Sequence, residues 1–116
     1  MSKKVALVAF NGEAMCFVHV LLNALDMDQK GYDVKVVIEG AATQVVNDLN
    51  NQESPFHELY VQVREKGLLD CVCMACAAKL GALDGVEAQQ LPINNEMVGH
   101  PSLAGYIEQG YQIITF

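Results

Sequence analysis

The sequence predicts an α/β protein: a three-layer α/β/α sandwich with a mainly parallel central sheet of about five strands. Three observations predict it. Short continuous apolar runs, such as "VALVAF" and "LLDCVCMA", have the length and composition of strands buried on both faces. Longer stretches between them carry apolar residues at helical spacing. Strand and helix alternate along the chain, and parallel strands need such crossovers to connect them.

Each element has its own warrant. "KKVALVAF" runs into the turn Asn11-Gly12-Glu13, which places the first strand near 4–10. Residues 14–29 set Ala14, Val18, Leu21, Leu22 and Leu25 at helical spacing, and Gly31 stands where a helix ends in the left-handed conformation. "YDVKVVIEG" predicts a second strand near 33–38, and "AATQVVNDLNNQ" a second helix. Pro55 opens "PFHELYVQVREKG", a helix with proline in its first turn and Gly67 past its end. "LLDCVCMA" predicts the third strand near 69–74, and "CAAKLGAL" a short helix opened by Cys76. "VEAQQLPI" reads as a connecting segment and a fourth strand. "PSLAGYIEQG" reads as a helix after Pro101, and "YQIITF" as the last strand near 111–115.

A chain of 116 residues is one domain by size, 1–116, large enough to bury a core without staples. Hydrophobic residues make up 52% and charged ones 18%. That balance excludes disorder and predicts that a second subunit covers some apolar surface, so a homo-oligomer is expected. Leu59, Val61 and Val63, which do not share one helical face, point the same way. No apolar run approaches the ~18 residues of a membrane span. "MSKK" leads directly into strand-like residues, without the apolar core of a secretion signal, so a cytoplasmic protein that does not enter a membrane is expected. In that reducing compartment the four cysteines are expected as free thiols. A net charge of -7, with no Lys/Arg cluster or aromatic stacking motif, excludes tight binding to nucleic acid. "AFNGEAM" has a glycine before a helix but neither phosphate-binding glycine pattern, so no nucleotide or other cofactor is expected.

In open parallel sheets, ligands bind outside the carboxyl ends of the strands. Those ends are Asn11-Gly12-Glu13, Glu39-Gly40, Cys73 to Cys76, and Asn94 to His100. The candidate site therefore joins Cys73 and Cys76 with Asn11, Gly12, Glu39 and His100 as binding residues. Cys71 lies deeper in its strand and, like Cys16, reads as a small core residue. Cys73 closes the strand and Cys76 opens the next helix, where unpaired backbone N–H groups favour a thiolate and lower its pKa. Cys73 is expected to react first, Cys76 close behind or coupled to it, and Cys71 and Cys16 slowly. Three chemistries fit such a pair. A structural zinc site would need Cys16 and His100 beside the single C-x2-C, and no bound metal is expected. A thioredoxin-like redox pair would follow an early strand with an aromatic or proline partner that "CMAC" lacks. A persulfide carrier needs only a reachable thiol of low pKa.

The stretch "CMACAAKLG", a strand-ending Cys73 with Gly81 eight positions on, resembles the sulfur-carrier cysteine loop of the DsrE/DsrF-like family, which includes the DsrE and TusD subunits of sulfur-relay complexes. The likeness extends through "KKVALVAFNG", "GYDVKVVIEGAAT" and the terminal "GYQIITF", in that order and spacing. The resemblance implies a three-layer domain, commonly oligomeric, that carries sulfur as a persulfide on Cys73 and meets sulfur donor and acceptor proteins. Cys76 and "GHPS" at 99–102 depart from the family's pattern. On this reading Cys76 is a resolving or assisting thiol. The alternatives are a non-catalytic oligomeric protein holding a small ligand or metal ion at the same edge, and a redox-sensing Cys73–Cys76 pair.

Among the histidines, His19 falls on the first helix one turn from Met15 and Leu22, and His57 reads as a solvated residue at a helix start. His100, between Gly99 and Pro101 in an edge loop, is placed to pair with a thiolate. Glu13 and Glu39 end buried strands and border the same edge.

Overall fold

The structure, a computed structural model, describes residues 3–116. Its elements are β1 (Lys4–Ala9), α1 (Ala14–Gln29), β2 (Asp33–Ile38), α2 (Ala42–Leu49), α3 (His57–Glu65), β3 (Leu69–Cys73), α4 (Met74–Lys79), α5 (Leu83–Ala88), β4 (Ile93–Asn94), α6 (Leu103–Glu108) and β5 (Gln112–Thr115). All neighbouring strands pair in parallel, in the order β4-β3-β2-β1-β5. The α/β class and the parallel sheet agree with the sequence expectation.

Strand order dictates which face each helix covers. The chain steps from β1 through β2 and β3 to β4 in one direction, and right-handed crossovers put all the intervening helices on one face. The return from β4 to β5 runs the opposite way, so α6 crosses the other face. The two apolar clusters follow this division. Phe17, Leu21, Val46, Tyr60, Ala77 and Val86, from α1 to α5, pack on Val5, Leu7, Val36, Ile38 and Val72. Tyr106 of α6, with Tyr111, packs on Ala6, Val8, Val37 and Cys71. The third layer is thus a single short helix.

The register of β1 on β2 is unbroken from Lys4 opposite Asp33 to Ala9 opposite Ile38. Between β2 and β3 it shifts: Leu69 lies opposite Val36 and Cys71 opposite Val37, leaving Asp70 as the extra residue of a bulge. Leu69 and Val72 therefore serve the larger core, while Asp70 and Cys71 both reach the hydroxyl of Tyr106 on α6. Strict alternation of faces along β3 does not survive this point.

Other boundaries also differ from expectation. β1 ends at Ala9, and β3 at Cys73, so α4 starts at Met74 rather than at Cys76. The helix expected over "CAAKLGAL" stops at Lys79. Gly81, at φ 76°, closes it, with Ala82 N–H donating to the Ala77 carbonyl at 2.7 Å and Gly81 N–H to Ala78 at 3.3 Å. The next stretch, read as a connection, folds as α5, because Val86 finds a fully buried place in the larger core. β4 shrinks to two residues, since Pro92 has no N–H for a ladder. Its carbonyl still accepts from Val72 N–H at 2.8 Å. His57, expected to be solvated, is half-buried, with Nδ1 2.9 Å from the Leu49 carbonyl.

Candidate functional site

The connection leaving β3 goes to one face of the sheet and the connection leaving β4 goes to the other. Such a switch opens a crevice at the carboxyl ends of those two strands, the place where open α/β sheets hold ligands. Cys73 is the last residue of β3, and the 95–100 segment follows β4. Topology alone brings these two pieces of chain together.

Three side chains meet there. Cys73 Sγ lies 3.0 Å from His100 Nδ1, and Cys76 Sγ lies 3.8 Å from the same nitrogen. The ligating atoms of Cys73, Cys76 and His100 are all within 4.8 Å of one another. Cys73 caps α4, and Cys76 N–H donates to its sulfur at 3.4 Å. The His100 segment is tied down by backbone bonds. Met97 N–H donates to His100 O at 2.7 Å, and Ala75 N–H donates to Gly99 O at 2.9 Å. Gly99 adopts φ 93°, and a Cβ on it would stand 3.0 Å from that of Ala75. Only glycine lets the loop lie this close to α4. The Gly99 carbonyl also accepts from Cys73 Sγ at 3.6 Å.

Burial changes the electrostatics expected from sequence. Cys73 has 0% relative exposure, whereas Cys76 and His100 are half-buried. Desolvation pushes the Cys73 thiol up to about 11; the Cys76 N–H works against this, and the Cys76 side chain and Glu39 add to it. The expected lowering of the Cys73 pKa is therefore not found: one backbone donor does not outweigh loss of water. Cys71 is also pushed up to about 11, chiefly by burial, with the Tyr106 hydroxyl partly offsetting it. Glu39, at the end of β2, is raised by burial and lowered by the facing charge of His100.

The sequence candidates separate accordingly. Cys73, Cys76 and His100 form one cluster, and Glu39 is its carboxylate neighbour. Asn11 and Gly12 do not join it. β2 stands between β1 and β3, so those strand ends are about 10 Å apart. Asn11 is exposed and accepts from Glu13 N–H at 2.8 Å, and Gly12 packs against Ala41. Glu13 is exposed at the N-cap of α1 and makes no side-chain cap. Cys16 is half-buried on α1 rather than in the core. Sequence reasoning missed the Gly99 carbonyl and a polar cleft of about 240 Å³ under α6, lined by Lys35, Asp70, Asn94, Glu96, Ser102 and Tyr106 among others. The signal for the cleft was Asp70 inside an otherwise apolar strand.

The parallel sheet of this small α/β protein thus carries two thiols and an imidazole at its switch point. The chain belongs to the DsrE/DsrF-like family, whose profile matches residues 3–116. It is 32% identical over 96 residues to an uncharacterized protein of Methanocaldococcus jannaschii, spanning 83% of this chain and 76% of that one. An uncharacterized protein of Archaeoglobus fulgidus is 40% identical over 45 residues, spanning 39% of this chain and 74% of the other. The fold matches a conserved protein of unknown function from Bacteroides thetaiotaomicron with a TM-score of 0.75, covering 98% and 95% of the two chains at 14% identity.

Proposed function

We propose that the chain carries sulfane sulfur as a persulfide on Cys73. The observation that carries the proposal is the 3.0 Å approach of His100 Nδ1 to Cys73 Sγ, at the cysteine that resembles the family's carrier position. A thiol held protonated by burial needs a base, and the imidazole is within hydrogen-bond reach. In the step proposed, Cys73 gives its proton to Nδ1 and its thiolate attacks the outer sulfur of a donor persulfide, R–S–S–H. The donor S–S bond breaks, the leaving R–S⁻ takes the proton, and Cys73 keeps the outer sulfur as –S–S–H. No net oxidation occurs.

Cys76 has the role of resolving thiol. Its thiolate, attacking the inner sulfur, forms a Cys73–Cys76 disulfide and releases HS⁻. Donor and acceptor proteins, a homo-oligomer and a cytoplasmic setting belong to the same reading. Among the described residues, no helix is long and apolar enough to cross a membrane. Support for protein partners comes from large apolar side chains exposed near the sheet's carboxyl edge: Phe10, Met15, Met97 and Val98.

Mass spectrometry of the reduced chain after incubation with inorganic polysulfide tests the proposal. The expected product is one added sulfur on the Cys73 peptide, absent in Cys73→Ser and retained in Cys71→Ser. Loss of two hydrogens in the wild-type chain, with no sulfur gained on Cys73 in Cys76→Ser, supports the redox pair instead. No change in mass supports a binding protein.

A further inference from the structure

We infer that Cys73, Cys76 and His100 form a binding site for a thiophilic divalent cation, zinc being the closest fit, with a fourth coordination position left open. The inference uses the residues of the persulfide reading but does not depend on it. Zinc is bound tetrahedrally by thiolate at about 2.3 Å and imidazole at about 2.0–2.1 Å, which sets ligand-to-ligand edges of roughly 3.6–3.8 Å. The Cys76–His100 separation of 3.8 Å already matches such an edge. The Cys73–His100 separation of 3.0 Å needs to open by about half an ångström, a small side-chain rotation.

Three further features favour an ion. The ligands come from a strand end, a helical turn on it and a loop pinned to that turn, so the site is held before any ion arrives. Two thiolates and one neutral imidazole exactly offset a charge of +2, which removes the penalty of holding anionic sulfur out of water. Nδ1 faces both sulfurs, which leaves Nε2 for an outer partner of the kind that zinc-bound histidines commonly have. Cys16, which a four-ligand site read from sequence would require, lies in the first turn of α1 and is not in the cluster. An open position is the mark of a site that exchanges ligands rather than one that only braces the fold.

Titration of the reduced, metal-free chain with Co²⁺ and then Zn²⁺ tests the inference. One ion per chain is expected, with thiolate-to-cobalt charge-transfer absorption, displacement by zinc and release of protons from the thiols. Cys76→Ser and His100→Gln should each weaken binding by more than about tenfold with an unchanged far-ultraviolet dichroism spectrum, and Cys16→Ser should leave it intact. Absence of the charge-transfer band, or binding that Cys76→Ser and His100→Gln do not weaken, overturns the site. The band and the proton release are read on the wild-type chain, so the test stands even where a variant fails to fold. Sulfur loading of the metal-free chain is scored separately. Loading without cobalt binding defeats the metal site alone, and cobalt binding without loading defeats the persulfide reading alone. Where both occur, prior saturation with zinc should slow loading, because the ion occupies the sulfur lone pair; unchanged loading at saturation overturns Cys73 as a ligand.

Discussion

His100 Nδ1 stands 3.0 Å from the sulfur of Cys73, a residue 27 positions earlier in the chain. The contact exists because β3 and β4 are neighbours whose outgoing connections diverge to opposite faces of the sheet. Replacing His100 with Asn removes the base while keeping a polar side chain. Sulfur loading on Cys73 should slow by about 100-fold, the usual scale for a positioned general base, with the fold unchanged. Loading at the wild-type rate would remove His100 from the mechanism.

Thiol labelling should follow burial. Brief iodoacetamide treatment at neutral pH is expected to mark the half-buried Cys76 and Cys16 before Cys73 and Cys71, which have 0% and 4% relative exposure. Cys73 labelling should keep climbing as pH rises toward about 11, since the thiolate is the attacking form. Peptide mapping across a pH series checks both points; a Cys73 rate that levels off near neutrality contradicts its raised pKa.

Alkaline pH should weaken the fold. The Cys71 thiol is raised from 9.0 to about 11, so the folded state holds that proton more tightly than the unfolded one. Its contribution is complete below pH 9.0 and is lost as pH rises through about 11. The loss is on the order of 2–3 kcal/mol for this buried group. Urea unfolding at intervals over that range checks it, and Cys71→Ala should flatten the decline.

Gly99→Ala should loosen the site before it unfolds the protein. The added methyl meets Ala75 at 3.0 Å, and φ 93° is unfavourable for alanine. A destabilisation of about 1–3 kcal/mol is expected. The sharper readout is the site itself: displacing the loop moves His100, so loading should fall further than Gly99→Ala lowers the urea midpoint.

Light scattering should show self-association at micromolar concentration. Val98 is 95% exposed, at φ 50°, on the loop beside the site. Val98→Lys should shift the population toward the monomer. A wild-type monomer would count against an oligomer.

Much of the fold was legible because it rests on long periodic signals: buried apolar runs for β1 to β3 and helical spacing for α1. The stretch from 82 to 98 was not, because α5 contributes one fully buried valine and β4 only two residues, too little periodicity to read. For the candidate site, strand ends and the cysteine spacing pointed to Cys73, Cys76 and His100, which the fold brings together, and to Glu39 at the end of β2, the strand beside β3. What sequence could not supply was strand order. Without it Asn11 and Gly12 looked equivalent to Glu39, although a whole strand separates them from the thiols. Burial was equally hidden, so Cys73 was expected at a lowered pKa where desolvation raises it. The Asp70 bulge left only one trace, a charged residue in an apolar run.

The thin layer formed by α6 makes the protein unevenly durable. One helix of six residues covers what five cover on the opposite side, and it is joined directly to the segment that carries His100. Brief detachment of α6 requires far less unfolding than exposure of α1 or α2. Amide hydrogens of α6 should therefore exchange with deuterium well before those of α1. Each such excursion would bare Cys71 and slacken the tether on His100, so the reach of solvent to the thiols is governed from the weaker side of the sheet.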